Sequence, residues 1–454
     1  MSVTVTNARS APIPPAPTTL AETGLSAEGI IELLLKILYV QGAQSGQQLT
    51  ETIRLPFDIV DEQLLKLQNR RFIEVVRTTG PARGNYIFDL AGAGRERAVA
   101  AHQSSQYVGA APVPLKVYRE WIERQSVRQL RIGREHIRDG FAHLVIREEI
   151  LEALGPAVNS ASSLFLYGDP GNGKTVIADA IAAMLGDDVF IPYAVDVEGQ
   201  IMLLHDPVHH EIVEENPVDA LAAVDAAAPW LRKSIEHDRR FVRIRRPVIF
   251  VGGELSLEQL DLQFDTHTKI YQAPFQLKAC GGVLIIDDFG RQLVPPRDLL
   301  NRWIVPLEKR VDYLTMHTGV KFPVPFDCLL IFATNLNPHE LVDEAFLRRI
   351  QYKINIVGPD REAFTAIFQR VAAANNIRYD ETAVDFVYDR YYRGKGIEPR
   401  ACHPRDIIEH LVHVARYEGL EPRFTLDMLE QACASYFMVM AYEAMTAHEL
   451  GSLP

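Results

Sequence analysis

The stretch that decides the fold is Gly168-Asp169-Pro170-Gly171-Asn172-Gly173-Lys174-Thr175, which has the spacing G-x-x-x-x-G-K-T. A short apolar run, Leu164 to Tyr167, precedes it, and apolar residues at helical spacing follow it until Gly186. A strand, a glycine-rich loop and a helix in this order are typical of a phosphate-binding loop, where backbone N–H groups and the helix N-terminus surround a polyphosphate. The alternative interpretation, a glycine-rich surface turn, is disfavoured by the sequence that follows.

The residue types in this loop each predict a contact. We expect Lys174 to reach the β- and γ-phosphates and the Thr175 hydroxyl to bind Mg²⁺. The residues expected to bind the nucleotide are Gly168, Asp169, Pro170, Gly171, Asn172, Gly173, Lys174, Thr175 and Val176.

Two further apolar runs end in polar residues. The segment Gly282–Gly290 has four consecutive apolar residues and then Asp287 and Asp288. Ligands of open α/β sheets bind at the carboxyl ends of the strands, so we expect Asp287 to bind the metal and Asp288 to polarise the attacking water. A third buried strand, Cys328 to Ala333, ends in Thr334-Asn335 and places an amide beside the γ-phosphate.

These motifs resemble those of the AAA-plus ATPases over roughly residues 135 to 440. The Walker A motif matches at 168–175 and the Walker B strand at 283–288, while Ile331–Asn335 is similar to the sensor 1 strand. The resemblance implies that Asn335 positions the nucleophilic water and that the cofactors are ATP and Mg²⁺. It also implies an α/β P-loop NTPase fold: a parallel sheet flanked by helices, with a C-terminal helical lid.

Two arginine-containing segments resemble further parts of that family. Ala345–Ile350 is similar to the end of the helix that presents an arginine finger to a neighbouring subunit, with Arg349 preferred over Arg348. The alternative is a structural role, since the helix macrodipole favours arginine at a C-terminal end. The segment 400–407 resembles the start of the sensor 2 helix, which implies that Arg405 contacts the nucleotide.

The finger carries an implication about assembly. An arginine supplied in trans raises the rate of the best-studied nucleotide hydrolases by roughly 10³ to 10⁵. The resemblance therefore implies a homo-oligomeric ring, expected to be a hexamer. Asp288 departs from the family pattern, because many members have Glu there, although Asp is common in the initiator and helicase-loader branches.

Composition limits the class of protein. The chain has 454 residues, enough for two or three domains, and a formal net charge of -12, which argues against a generally sticky nucleic-acid binder. No apolar run approaches the length of a membrane span. The four cysteines are scattered, without C-x-x-C spacing, so a reduced cytoplasm is the simplest setting.

The region before the ATPase motifs predicts a separate domain. Three helical patterns, Leu25 to Val40, Gly46 to Ile53 and Phe57 to Arg70, are followed by two alternating stretches around Gly80-Pro81. This order resembles a winged-helix domain. Residues 25–97 contain nine acidic and nine basic side chains, so binding to duplex DNA and docking to protein both remain open.

Other segments suggest what the protein acts on. Val311–Thr315 and Val320–Pro323 predict a β-hairpin just before sensor 1, which resembles the pore-facing hairpin of one branch of the family; a surface hairpin without substrate is the alternative. The cluster His205, His209 and His210 lacks a second ligand group with metal spacing, so zinc is not expected. The helical stretch Tyr118 to Arg138 carries an excess of arginine and is expected to be a solvated helix.

The sequence thus predicts a soluble, cytoplasmic AAA-plus ATPase that forms a ring and uses ATP hydrolysis to remodel a protein client. One alternative is a DNA-directed motor or loader that binds duplex DNA through the winged helix, and another is a nucleotide-gated scaffold without turnover. The predicted parts are a disordered tail over 1–24, the winged-helix-like domain over 25–97, a helical connector over 98–139, the ATPase core over 140–357 with an insertion at about 195–260, and the helical lid over 358–454.

Overall fold

The computed structural model describes residues 12–186, 188–213, 237–341, 347–393 and 397–437. The chain divides into two compact units. The first contains residues 1–130, 185–286 and 291–330, and the second contains residues 131–184, 287–290 and 331–454. No helix among the described residues is long and apolar enough to cross a membrane.

The first unit begins with helices and a small antiparallel sheet, whose strands lie in the order Gln44–Ser45, Tyr86–Leu90 and Ile73–Thr78. Ser26 caps the helix Ala27–Gln41 by accepting a hydrogen bond from the Gly29 N–H, and Ser45 forms a reciprocal capping box with Gln48 at the start of the helix Gly46–Ile53. The elements are α1 (Leu20–Thr23), α2 (Ala27–Gln41), β1 (Gln44–Ser45), α3 (Gly46–Ile53), α4 (Phe57–Asn69), β2 (Ile73–Thr78), β3 (Tyr86–Leu90) and α5 (Gly92–Ser104).

The three predicted helices and the two predicted strands of this region correspond to α2, α3, α4, β2 and β3. The buried faces of these elements form one apolar core, which includes Leu34, Leu64 and Phe88, each 0 % exposed. The winged-helix assignment itself remains a prediction.

The predicted disordered tail over 1–24 is wrong for its described part, residues 12–24. The backbone N–H of Asp238 donates to the Pro14 carbonyl oxygen at 2.7 Å, and the Arg240 guanidinium donates to the Thr23 carbonyl oxygen at 2.8 Å. Thr23 is fully buried. These long-range contacts order a segment whose composition alone favours disorder.

The connector is not one continuous helix. Its elements are β4 (Val113–Pro114), α6 (Leu115–Arg124), α7 (Arg134–Gly140) and α8 (Glu148–Ser160). The predicted helix Tyr118 to Arg138 is therefore wrong over residues 125–133. Here the Gln125 side chain pairs with the backbone of Phe190, donating at 2.6 Å and accepting at 3.0 Å, and the Ser126 hydroxyl donates to Asp327 at 2.7 Å. Side-chain hydrogen bonds of this kind replace helical ones.

The next stretch contains the phosphate-binding loop and the inserted strands. Its elements are β5 (Ser163–Tyr167), α9 (Lys174–Met184), β6 (Asp188–Pro192), β7 (Ala194–Val197), β8 (Gln200–Leu203), β9 (Phe241–Arg245), β10 (Val248–Val251), β11 (Gln263–Asp265), β12 (Ile270–Gln272) and α10 (Phe275–Lys278). Strands β6 and β9 pair with each other, and a second sheet has the order β11-β12-β8-β7-β4. Strand β10 interrupts the predicted insertion, because it pairs with the later strand Val283–Ile286, and β11 and β12 then return to the second sheet.

The next elements along the chain are β13 (Val283–Ile286), α11 (Pro296–Lys309), β14 (Val311–Thr315), β15 (Lys321–Pro325), β16 (Leu329–Thr334), α12 (Pro338–Leu341) and β17 (Tyr352–Asn355). The parallel sheet has the strand order β10-β13-β16-β5-β17 and agrees with the predicted α/β fold class. Strand β10 runs parallel to β13, and β17 runs parallel to β5. Strands β5, β13 and β16 are almost entirely buried, as expected for strands covered by helices on both faces.

The C-terminal part of the second unit is helical, as predicted for a lid. It contains α13 (Arg361–Ala374), α14 (Glu381–Val387), a π-helical turn at Tyr388–Arg393, α15 (His403–Glu418) and a helical segment over 426–437. Its core is aromatic, with Phe364, Phe368 and Phe437 packed against buried tyrosines.

Candidate nucleotide-binding site

The loop after β5 has the backbone that phosphate binding requires. Gly168, Gly171 and Gly173 have φ values of 135°, 82° and 82°, which side chains rarely adopt. A Cβ on Gly168 would lie 2.3 Å from the Ile356 carbonyl oxygen. The loop leads directly into α9, whose N-terminal N–H groups and dipole favour an anion.

Lys174 lies at the centre of the site and is only 7 % exposed. Its ammonium group donates to the carbonyl oxygens of Gly168 and Asp169, at 2.8 and 2.9 Å, and to the side-chain oxygen of Asn335 at 2.6 Å. Burial lowers the pKa of Lys174 below its ordinary value, while the nearby carboxylates of Asp287, Asp169 and Asp288 oppose this change. The lysine is therefore held in place by neutral acceptors that phosphate oxygens can replace.

The predicted metal ligands lie together. The Thr175 hydroxyl donates to the Asp287 carboxylate at 2.8 Å. A hydroxyl and a carboxylate are oxygen ligands of the type that Mg²⁺ prefers, and Mg²⁺ usually takes its other ligands from water and substrate phosphates. No group of three or more His, Cys, Asp or Glu side chains in the described part of the chain could hold a metal by itself. The pair therefore fits a magnesium ion that arrives with a nucleotide.

Asp288 and Asn335 face each other beside this pair. The Asn335 amide donates to the Asp288 carboxylate at 3.2 Å, and Asp288 adopts the left-handed conformation, with φ 47°. The next residue, Phe289, is fully buried against Phe165 and Phe332 and fixes the end of β13. Asp288 itself is exposed, so it can meet a water molecule.

A further carboxylate, that of Asp179, lies near the Thr175–Asp287 pair. The pKa of Asp179 in α9 is raised, first by burial and second by the neighbouring Asp287. Sequence analysis did not select Asp179, although it lies four residues after Thr175 and therefore one helical turn away.

The start of α15 contacts the loop. The Cys402 N–H donates to the Gly171 carbonyl oxygen at 2.9 Å, and the Ala401 N–H donates to the Asn172 side chain at 3.3 Å. A Cβ added to Gly171 would lie 2.6 Å from the Cys402 sulfur, so the contact depends on glycine. The start of the helical lid therefore lies directly against the phosphate-binding loop.

Two arginines near the start of α15, Arg400 and Arg405, have different surroundings. Arg405, the predicted sensor 2 residue, is exposed, and its ion-pair partners among the described residues are Asp406 at 3.0 Å and Glu409 at 4.0 Å, both on its own helix. Arg400 is closer to the loop: its Cδ lies 3.6 Å from the position of a Cβ on Gly171, and its charge lowers the pKa of Lys174. Sequence reasoning passed over Arg400, although it begins the segment that resembles sensor 2.

The predicted finger segment is Ala345–Ile350. Its first two residues belong to the stretch 342–346, which lies outside the described residues. Arg348 is exposed and Arg349 is half-buried. The Arg349 carbonyl oxygen accepts a hydrogen bond from the Ser163 hydroxyl at 3.4 Å. Neither arginine is assigned a role by these contacts, and the finger remains a prediction.

The predicted hairpin is confirmed, because β14 and β15 pair antiparallel from Val311–Pro325 to Thr315–Lys321. The His317 ring at its turn stacks on Phe264, with ring centroids 4.0 Å apart. Whether the hairpin contacts a substrate remains a prediction.

One histidine of the predicted cluster, His210, uses both ring nitrogens in contacts within the fold. His210 accepts a hydrogen bond from the Asp206 N–H at 3.0 Å and lies 3.0 Å from the Lys278 carbonyl oxygen through its other ring nitrogen. Burial lowers the pKa of His210 to about 4, so the ring is neutral at neutral pH. Both ring nitrogens are thus used within the fold.

The C-terminal part of the chain matches a known family model. Residues 360–435, which correspond to the helical lid, match a family described as a domain of unknown function (DUF8689). No curated protein sequence matches the chain.

Solved structures share distant similarity. NtrX from Brucella abortus, in complex with ADP, is 15% identical with a TM-score of 0.38, and the match covers 63% of this chain and 54% of that chain. The chain thus spans about half the length of NtrX. The RuvB Holliday junction branch migration motor from Thermotoga maritima is 15% identical with a TM-score of 0.32, covering 67% of this chain and 70% of that chain. Similarity at this level does not decide a function, and the fold is established by the strand order and the loop geometry.

Proposed function

We propose that the protein is an ATP hydrolase of the AAA-plus type. The observation that carries this proposal is the set of contacts around Lys174, which joins the phosphate-binding loop to Asn335 and, through Asn335, to Asp288. A buried lysine, a threonine–aspartate pair and an exposed carboxylate with an amide partner are the groups that phosphoryl transfer to water needs.

The chain's own residues have separate tasks in this reaction. Lys174 exchanges its carbonyl partners for phosphate oxygens and neutralises negative charge on the β- and γ-phosphates. Asp288 accepts a hydrogen bond from the attacking water, and Asn335 holds that carboxylate in position. Magnesium, held by Thr175 and Asp287, would supply charge stabilisation on the phosphate oxygens.

The helical lid contributes a second cationic side chain, that of Arg400, beside the phosphate-binding loop. Because Arg400 lies beside Gly171, we propose that Arg400 rather than Arg405 contacts the nucleotide when the lid closes. A cation at this position stabilises charge that develops in the transition state. Its contribution adds to that of Lys174, whose pKa already responds to the Arg400 charge.

Hydrolysis is tested by comparing three variants of the full chain. Lys174→Ala should abolish measurable binding of Mg²⁺-ATP in calorimetry, whereas Asp288→Asn should bind it normally and hydrolyse it at least about 100-fold more slowly. Asp427→Asn, an exposed carboxylate of the lid, is the matched control and should behave as wild type. Wild-type protein that binds ATP without turnover would instead support the nucleotide-gated scaffold.

We further propose that the protein works as a homo-oligomeric ring, a hexamer, in the cytoplasm, and that it acts on a protein client. Within the N-terminal region, four basic side chains already have carboxylate partners. The pairs are Lys66–Glu62 at 2.8 Å, Arg70–Glu28 at 2.6 Å, Arg83–Asp61 at 2.7 Å and Arg97–Glu32 at 2.5 Å. Each pair would have to break before its cation could neutralise a DNA phosphate, which favours the protein client.

The DNA-directed alternative depends on the remaining cations that are exposed. Arg71, Arg77 and Arg95 are exposed and have no ion pair within the described residues. If the full chain binds duplex DNA, affinity should fall steeply with salt, and Arg77→Ala together with Arg95→Ala should reduce that salt dependence. Salt-sensitive binding lost in the double variant would favour the DNA-directed motor, and failure to bind duplex DNA at low salt would favour the protein client.

A further inference from the structure

A cavity lies in the first unit and contains no residue of the phosphate-binding loop. Its volume is about 350 Å³, within the range of roughly 300–1,000 Å³ that is usual for small-molecule sites. Its walls come from the end of α3, from the segment after α5 and from strands β7 and β8 with their flanking residues. The residues around it are Glu51, Thr52, Arg54, Tyr107, Val108, Gly109, Ala110, Tyr193, Leu203 and His205.

The walls are fixed by hydrogen bonds. The Ala111 N–H donates to the Ile53 carbonyl oxygen at 2.8 Å, which joins the segment after α5 to the end of α3. The Tyr107 hydroxyl donates to the Ala110 carbonyl oxygen at 2.7 Å. The His205 N–H donates to the Tyr193 carbonyl oxygen at 3.3 Å. The cavity is therefore formed before any ligand arrives.

Arg54 supplies a cation to this cavity. It ends α3 in the left-handed conformation, with φ 58°, and its backbone N–H donates to the Thr50 carbonyl oxygen at 2.9 Å. Its guanidinium lies over the Tyr193 ring, 4.4 Å from the centroid. A guanidinium stacked in this way can still direct its N–H groups outward.

Arg54 forms no ion pair within the described residues, in contrast to Lys66, Arg70, Arg83 and Arg97. Glu51 lies on the same cavity, and its carboxylate accepts a hydrogen bond from Gln47 at 3.3 Å. Asp206, next to the cavity, is paired with Lys278 at 2.7 Å.

The charge of Arg54 affects the pKa values of two neighbouring side chains, His205 and Tyr107. Burial lowers the pKa of His205, and Arg54 lowers it further, against the opposing effect of Asp206. Burial raises the pKa of Tyr107, and Arg54 opposes that rise. His205 and Tyr107 are therefore neutral at neutral pH, and Arg54 is the cation available to a ligand.

We propose that this cavity binds an oxyanion, a phosphate or carboxylate group carried by a small molecule, and that Arg54 is its principal ligand. The tyrosine rings of Tyr107 and Tyr193 provide an apolar surface for the body of that molecule. This cavity shares no residue with the nucleotide site, so its test does not require ATP hydrolysis.

The test uses the full chain with Lys174→Ala, so that the phosphate-binding loop does not capture the probes. Pyrophosphate and phenyl phosphate form one arm, and citrate and benzoate form the other, with binding measured by calorimetry. We expect at least one arm to bind, and we expect Arg54→Met to weaken that binding at least 10-fold. Arg77→Met should leave it unchanged, because Arg77 is an exposed arginine of the same region that lies outside the cavity and forms no ion pair among the residues that the structure describes.

A second variant separates binding from folding. Arg54→Gly suits the left-handed backbone at this position and should fold as well as wild type. It should show the same loss of binding. If none of the four probes binds, or if Arg54→Met and Arg54→Gly bind as tightly as the parent, the proposal is wrong.

Discussion

The side-chain nitrogen of Lys174 and the side-chain oxygen of Asn335 lie 2.6 Å apart, although 161 residues separate them in the chain. The same asparagine donates to Asp288 at 3.2 Å. Asn335 thus connects the group that binds phosphate to the group proposed to activate water. Replacing it should impair the chemical step more than the binding of ATP.

We therefore expect Asn335→Ala to lower kcat by roughly 10²- to 10³-fold, the range seen when one preorganised polar group is removed, with ATP affinity within a few-fold of wild type. Steady-state kinetics together with calorimetry measure both quantities. Asn337→Ala, two residues further on and exposed, serves as the control. Equal turnover in the two variants would remove Asn335 from the mechanism.

Gly171 gives a prediction about stability. Gly171→Ala should be destabilising by about 2 kcal/mol or more, because its Cβ would meet the Cys402 sulfur at 2.6 Å and φ is 82°. Gly173→Ala has the same φ but meets nothing within 4 Å, so it isolates the backbone strain. Urea unfolding of both variants measures the difference, and similar losses would show that the contact with Cys402 is unimportant.

The two arginines near the start of α15 should behave differently. Arg400→Ala should weaken ATP binding or turnover about 10-fold or more, because a cation beside the phosphates is lost. Arg405→Ala should have an effect below about 3-fold, since this side chain pairs with Asp406 on the surface. The opposite order, measured as kcat/KM for ATP, would restore Arg405 to the sensor position predicted from the sequence.

The trans finger predicts that activity per subunit rises with protein concentration as rings assemble. Arg349→Ala, or Arg348→Ala if that residue is the finger, should lower the maximal rate with little change in ATP binding. Mixing the inactive finger variant with Lys174→Ala subunits should restore partial activity, because some interfaces then pair an intact loop with an intact finger. Mixed rings without rescue would make both arginines structural.

The burial of His403 in the helical lid predicts how the stability of the protein depends on pH. His403 is fully buried, and its Nδ1 atom accepts hydrogen bonds from the Tyr392 hydroxyl at 2.8 Å and from the Arg400 N–H at 3.3 Å. Burial lowers its pKa to about 4 from an ordinary value of 6.5. Between these values the unfolded chain binds the proton more tightly, so stability should fall as the pH falls from 6.5 towards 4, by up to about 3 kcal/mol.

Urea unfolding at pH 7 and pH 5 measures this effect. His403→Gln should lose stability at pH 7 but show a weaker dependence on pH than wild type, because glutamine does not titrate. His267→Gln, an exposed histidine, should keep the wild-type dependence. An unchanged pH dependence in His403→Gln would contradict the assignment.

Sequence patterns with short-range causes predicted the structure well. The glycine spacing from Gly168 to Gly173 and the alternation on either side of Gly319 specify backbone conformations within a few residues, and both the loop and the hairpin form where predicted. Apolar runs identified β5, β13 and β16 because strands buried on both faces need continuous apolar residues. Thr175, in the first turn of α9, and Asp287, directly after β13, are in hydrogen-bond contact, and their binding of magnesium stays a prediction.

Predictions that depended on distant partners were less reliable. The arginine-rich stretch from Tyr118 to Arg138 has helical composition, but Gln125 finds the backbone of Phe190 and the helix ends there. Residues 12–24 have the composition of a disordered tail, yet Arg240 and Asp238 hold them. Neither partner can be recognised from local sequence, because any buried backbone group can serve as the acceptor or donor.

The sequence by itself determined the fold class and which residue types would meet a phosphate, because glycine spacing, strand composition and motif order act over short distances. Only the tertiary structure decided that Arg400 rather than Arg405 lies beside Gly171, that four basic side chains of the N-terminal region pair with carboxylates, and that Arg54 does not within the described residues. Those outcomes depend on which charged groups come within a few ångströms of each other after folding. Electrostatic interactions fall off with distance and are screened by solvent, so only that final geometry decides which charges remain available to a ligand.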